Sequence, residues 1–186
     1  EMCIRDRARK EDFDPPECFR VDLAGAVLNL AAWGVTVPEN FRWLDVPAPL
    51  VMQRAVNLLA ALGATEEDGS LTDTGKRMTA FPLPPRLARL MVAGQDEQCA
   101  VELAAVAALM QGEGVAVKGG LNDHLRDSAD YTDFQAEWRA VEKAVDAGFG
   151  AAACTRWGIS SRGAREAWMA YRQLLSVGSR GKARET

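Results

Sequence analysis

The feature that most constrains this chain is a proline-rich corner inside residues 71–94, LTDTGKRMTAFPLPPRLARLMVAG. Its prolines are Pro82, Pro84 and Pro85. A proline disfavours helical geometry in the residue before it, so a helix capped by Thr72 or Asp73 has to end near Phe81. The later two prolines suit the first turn of a new helix, where a missing N–H costs nothing. We therefore predict two helices joined by a stiff corner, at the seam between two modules.

The chain ahead of the corner has the pattern of a winged helix, which we place at residues 20–81. Asp22 can cap a first helix, and apolar residues recur on one face of it. A second apolar stripe begins near Pro49. Asp68 and Gly69 then form a strong tight-turn signal between two very short segments, which predicts a small β-hairpin. The order is helix, helix, hairpin, helix.

The chain after the corner reads as a helical bundle over residues 82–178. The stretch 96–111 is apolar nearly all round, as expected of a helix in the middle of a bundle. Asp130 or Thr132 is predicted to cap the next helix, and Ser160 or Ser161 the last. The fold class is thus mainly α, a winged helix with a small β-hairpin followed by a helical bundle. We expect four side chains in its core: Trp33, Leu58, Leu90 and Trp138.

Both ends of the chain are set apart from these modules. Residues 1–19 read as an extended lead-in, of which residues 1–7 show no period or capping pattern and are interpreted as not native. Residues 179–186 are predicted to be a frayed or truncated tail. No apolar run is long enough for a membrane span, and the four cysteines show no CxxC spacing. We expect a cytoplasmic protein with no membrane contact, and the residues give no indication of a homo-oligomer.

The residues that carry chemistry point to a chain without a catalytic, cofactor or metal site. The single histidine, His124, lies near Asp123 and Asp127, a setting typical of a surface residue. The stretch from Gly69 to Arg77 resembles a phosphate loop, but its glycines are wrongly spaced and an arginine stands where Ser or Thr would hold magnesium. A second glycine-rich stretch, residues 112–120, has no strand before it.

Three blocks of sequence carry a family resemblance. They are PPECFRVDLAGAVLNLAAWGV (residues 15–35), RWLDVPAPLVMQRAVNLLAALGA (residues 42–64) and the corner segment itself. Together they resemble the region that follows the motor in DEAH-box ATP-dependent RNA helicases, and they are most similar to the bacterial HrpB branch. The resemblance implies a winged helix and a helicase-associated or ratchet bundle that handles a single RNA strand together with the motor lobes of the same protein. It places ATP and Mg in that motor, whose motifs this sequence does not contain, so whether this chain is itself an enzyme stays open.

Two other functions remain open at this point, a winged-helix DNA-binding regulator and a helical scaffold for protein interactions. The regulator would need polar and basic residues on the second helix, which offers Gln53, Arg54 and Asn57. For the helicase reading, the candidate nucleic-acid residues lie on one face of the last helix. They are Arg162, Arg165 and Arg172. The competing interpretation is that these arginines are solvated or pair with the acidic residues 123–133.

Overall fold

A computed structural model describes residues 22–112, 114–117, 120–127 and 132–182 of the chain. The predicted lead-in, residues 1–19, and the last four residues of the predicted tail lie outside the described residues. The chain divides into two compact units, the first ending at Thr72 and the second beginning at Asp73. The architecture is mainly helical, as predicted.

The first unit is built on two helices that pack against each other, α1 (Ala24–Ala32) and α2 (Pro49–Ala61). Asp22 acts as the predicted capping side chain, since its Oδ1 accepts the Ala24 N–H at 2.9 Å. The loop between the helices contains one 3-10 turn, Pro38–Asn40. The core between the two helices is formed by side chains less than a tenth exposed: Val27, Leu28, Leu30, Met52, Ala55 and Leu59.

The predicted β-hairpin is not seen as a pair of strands. Residues 64–72 form only one isolated antiparallel bridge, between Thr65 and Leu71. Two hydrogen bonds flank it, from the Thr72 N–H to the Ala64 carbonyl and from the Glu66 N–H to the Ser70 carbonyl. The arms cannot lengthen because α2 ends just before them and the next helix begins at Asp73. The expected turn is therefore present, but the sheet is not.

The proline corner joins α3 (Asp73–Met78) to α4 (Pro85–Asp96) in the second unit. A single guanidinium links the two helices, because Arg77 Nη2 lies 2.8 Å from Asp96 Oδ1 and donates to Gln95 Oε1 at 3.0 Å. Phe81 is buried at the bend. Prolines restrict the backbone and the arginine ties the helix ends, so the corner has two independent sources of rigidity.

The remaining helices of the second unit are α5 (Ala100–Gln111), α6 (Asp133–Asp146), α7 (Ala151–Arg156) and α8 (Ser161–Lys182). Helix α5 packs against α4, α6 and α8, the central position that its apolar sequence predicts. Thr132 and Gln135 form a capping box at the start of α6. A second isolated bridge, between Ala116 and Ile159, joins the chain after α5 to the chain before α8.

The predicted core residues have different outcomes. Leu58, Leu90 and Trp138 are half-buried rather than buried. Trp33 is 76% exposed, so its placement in the core was wrong. The physical reason is that α1 ends at Ala32 and the chain turns away at Gly34, where φ is +87°. No further helical turn follows to cover the indole, although its spacing from Leu30 matches the buried face.

Candidate nucleic-acid interface

The three candidate arginines lie along α8, the longest helix among the described residues. The start of α8 is fixed by two serine side chains, as the sequence suggests. Ser160 Oγ accepts the Gly163 N–H at 3.2 Å, and the Ser161 hydroxyl donates to the Phe149 carbonyl at 2.6 Å. The second contact holds the first turn of α8 against the chain that precedes α7.

All three arginine side chains are exposed, but their surroundings differ. Arg162 Nε donates to Glu166 Oε1 at 2.7 Å, an ion pair one turn along the same helix. The Arg165 guanidinium lies over the Phe149 ring, with Cζ 5.4 Å from the ring centroid. Arg172 has no ion-pair partner in the part of the chain that the structure describes. The three guanidiniums therefore lie on one helix but differ in their contacts: Arg162 pairs with a carboxylate, and Arg165 lies over an aromatic ring.

The contacts of Arg162 and Arg165 do not prevent these residues from meeting a phosphate. An exposed ion pair at i, i+4 stabilises a helix by only about 0.3–0.5 kcal/mol, and a cation–π contact at an exposed site by about 0.5–1 kcal/mol. A charge-assisted contact to a phosphate is of similar or greater strength. The internal contacts of Arg162 and Arg165 can therefore be broken at a small cost in free energy.

The aromatic side chains of α8 face inward. Trp168 stacks on Trp138 of α6, with ring centroids 6.0 Å apart. Tyr171 contacts both indoles, with centroid distances of 4.7 Å to Trp138 and 5.3 Å to Trp168. These rings are half-buried, so they join two helices and do not form an open platform for stacking bases. The exposed part of α8 therefore carries the three arginines, and the aromatic rings of this helix lie in its contact with α6.

A cavity of about 380 Å³ adjoins the start of this row. Arg162, Gly163 and Glu166 line it from α8, and Gly112 and Gly114 line it from the chain after α5. Sequence reasoning missed this juxtaposition because about fifty residues separate the two walls. The antiparallel bridge from Ala116 to Ile159 brings them together, and a single-residue bridge leaves no periodic pattern in a sequence.

The residues considered for other chemistry occupy ordinary positions. His124 is exposed, and its backbone N–H donates to Asn122 Oδ1 at 3.0 Å. In the phosphate-loop look-alike, Lys76 pairs with Asp73 at 3.0 Å and Arg77 belongs to the corner. Within the described ranges, no group of three or more potential ligands is arranged to hold a metal ion. None of the helices there is long and apolar enough to cross a membrane.

The exposed polar side chains of α2 bear on the regulator alternative. Gln53, Arg54 and Asn57 are all exposed, but Gln53 Nε2 donates to Asn57 Oδ1 at 2.8 Å. One hydrogen bond thus joins the two amides on the helix surface. A base-reading helix in the major groove would use such amides to contact base edges.

A comparison with known families finds a similarity in one part of the chain. Residues 55–83 match the family model described as "Helicase associated domain (HA2), winged-helix". The matched stretch runs from the second half of α2, through the bridged turn and α3, to the proline corner. It supports a DEAH-box helicase-associated region for this part of the chain and a helicase accessory role.

Proposed function

We propose that this chain is the accessory region that follows the motor of a DEAH-box ATP-dependent RNA helicase of the bacterial HrpB branch, working in the cytoplasm. The observation that carries the proposal is the family match over residues 55–83. The order of elements supports it, since two packed helices, a tight turn and a proline corner precede a helical bundle. In this proposal ATP and Mg act in the motor lobes of the same protein, and this chain contacts a single RNA strand.

The proposed mechanical role is to transmit motor motion to that strand. A transmitting part has to resist bending between its elements, and the corner between α3 and α4 meets this requirement. Its prolines fix the backbone, and Arg77 bonds to the far end of α4 through Gln95 and Asp96. Gln95 Nε2 in turn donates to the Gly178 carbonyl of α8 at 3.4 Å. Side-chain contacts thus connect α3 to α4 and α4 to α8.

The proposed contact with RNA is the exposed face of α8. Arg162, Arg165 and Arg172 lie exposed along one helix, on a chain whose formal net charge, with these arginines counted, is −4. Phosphate contacts of this type position a strand without reading its sequence. Affinity should accordingly be independent of RNA sequence and should fall with salt, by a slope of about 0.7 per phosphate contact on a single strand.

The test is to change the three arginines to glutamate and to measure binding of a fluorescent single-stranded RNA by anisotropy at several salt concentrations. The variant should bind more weakly, and its salt slope should be flatter by about two. The control variant changes three exposed arginines elsewhere to glutamate, Arg42, Arg54 and Arg86, and thus has the same net charge.

Two outcomes would contradict the proposed RNA contact, and the measurements distinguish them. If the row on α8 pairs only within the protein, its variant will melt at a lower temperature and keep the salt slope of the unmodified chain. Equal losses of affinity in the two triple variants would mean that net charge alone is responsible. Either result would contradict the assignment of these arginines to the RNA contact.

A further inference from the structure

A second cavity, of about 430 Å³, lies between α5, α6 and α8 on a different part of the bundle. Its size falls within the range of small-molecule sites, about 300–1,000 Å³. Neither the candidate arginines of α8 nor the residues matched to the helicase-associated family line it. The residues that matter for its chemistry are Phe134, Trp138, Tyr171, Glu102 and Glu142.

The aromatic part of the wall is fixed by packing. Trp138 and Tyr171 have ring centroids 4.7 Å apart at a tilt of 55°, and Trp168 supports both from behind. At this distance the two rings touch each other, and both line the cavity, so a group bound in the cavity beside them can contact both. The face of an aromatic ring carries partial negative charge and attracts cations within about 6 Å of its centroid.

The polar part of the wall is acidic. Glu102 on α5 and Glu142 on α6 are exposed at the cavity, and neither carboxylate forms an ion pair with any described residue. Both charges act on Tyr171, which lines the same cavity. The pKa of Tyr171 is raised above its ordinary value, first by burial and then by the charges of Glu142 and Glu102.

One cation, Arg139, also lines the cavity, but its charge is directed elsewhere. Arg139 Nε and Nη2 both donate to the Leu125 carbonyl, at 3.1 and 2.9 Å. These two hydrogen bonds direct the guanidinium toward the backbone at Leu125. The two carboxylates therefore outnumber the one positive charge at the cavity. A phosphate or carboxylate ligand would be repelled there, whereas a cation would be attracted.

We propose that this cavity binds a small organic cation, an ammonium group with an apolar substituent, whose charge lies against Trp138 and Tyr171 and is balanced by Glu102 and Glu142. The apolar remainder of the ligand would contact Phe134 and the aliphatic side chains of α5. This site is independent of the proposed RNA contact, because it uses different residues and the opposite charge.

The test compares choline with 3,3-dimethylbutan-1-ol, in which carbon replaces the charged nitrogen at nearly the same size. Both are titrated into the full chain while the tryptophan indole N–H signals are followed by NMR. We expect saturable shifts with choline, and an affinity at least about tenfold higher than for the neutral alcohol, as a desolvated cation–π contact and two carboxylates would give.

The variant E102Q/E142Q keeps the size of both side chains and removes their charge. It should weaken choline binding about fivefold at low salt and leave binding of the neutral alcohol unchanged. The control is E66Q/E67Q, which removes two exposed charges from the first unit and should bind choline as the unmodified chain does. Because all four glutamates are exposed, these variants should fold.

Three results would overturn the proposal. Equal binding of choline and the neutral alcohol would show an apolar cavity without selectivity for charge. Equal choline affinity in E102Q/E142Q and the unmodified chain would remove the carboxylates from the site. The absence of saturable shifts with choline would mean that the cavity is not a binding site for such cations. None of these results would affect the RNA proposal.

Discussion

Glu137 shows how a single carboxyl group can lower the stability of the fold that contains it. It lies half-buried on α6, four residues after Asp133, which pairs with Arg126 at 2.9 Å. Its pKa is raised above 4.5, first by burial and then by the charge of Asp133. An acid with a higher pKa when folded binds more protons in the folded state. Its contribution to stability is therefore favourable at low pH and is lost as the pH rises through the raised pKa.

Glu137→Gln should remove this effect. At pH 7 the variant is expected to melt at a slightly higher temperature than the unmodified chain, by about 1–2 °C after allowing for solvent screening. At pH 4, slightly below the ordinary pKa of a glutamate, Glu137 is mostly protonated in both states, and the difference should be smaller. Circular dichroism melts across this range provide the measurement, with Glu97→Gln as an exposed control. A difference that is the same at pH 4 and pH 7 would show that the charge of Glu137 is not its cause.

Side-chain contacts could be predicted from the sequence only where they are local. The capping box of Thr132 and Gln135 and the serine cap of α8 follow from short spacings, and so does the ion pair between Arg162 and Glu166. The stacking of Arg165 on Phe149 could not be predicted, because a turn and α7 intervene. The exposure of Trp33 was missed for a related reason: a repeat of three or four residues marks a face, but does not show where the helix ends.

At the scale of elements, the turn between α2 and α3 is constrained by its neighbours. Gly69 has φ of +82°, and a Cβ at this position would overlap the Thr36 carbonyl oxygen in the loop after α1. Asp68 supports the turn, since its Oδ1 accepts the Ser70 N–H at 2.9 Å. Hydrogen bonds from the Ser70 side chain and then from the Ser70 N–H lower the pKa of the carboxyl. The sequence predicted the turn from Asp68 and Gly69. It did not predict how few residues remain for strands between two helix ends.

A pair of glycine variants separates the two constraints on Gly69, which are its positive φ and its closeness to the Thr36 carbonyl. Gly63 also has positive φ, +67°, but a Cβ there would meet nothing within 4 Å. Gly63→Ala should lower the free energy of unfolding by about 1 kcal/mol, the usual cost of the left-handed region. Gly69→Ala adds a backbone clash and should cost about 3 kcal/mol or more. Urea denaturation measures both, and equal losses would show that the turn can move away from Thr36.

Across the whole molecule, the sequence predicted the helical class and the central place of α5, because both depend on patterns within one segment. It did not predict either cavity. The cavity at the start of α8 depends on the bridge between Ala116 and Ile159, and the aromatic cavity on Tyr171 meeting Trp138 across two helices. Both contacts join segments more than thirty residues apart. The positions of both cavities depend on how the whole bundle packs, and residue spacing within one segment carries no information about that packing.

Residues 69–77 of this chain are not arranged as a nucleotide-binding loop. Glycine-rich loops hold phosphates with free backbone N–H groups and an available lysine, whereas here Lys76 and Gly75 belong to the short helix α3 and Lys76 pairs with Asp73. We therefore expect no change in melting temperature when ATP and Mg are added. A ligand at about 100 times its Kd would stabilise the native state by about 2.7 kcal/mol, which a melt detects easily. A saturable rise with ATP, reduced in Lys76→Ala and unchanged in the control variant Lys143→Ala, would show that residues 69–77 do bind nucleotide.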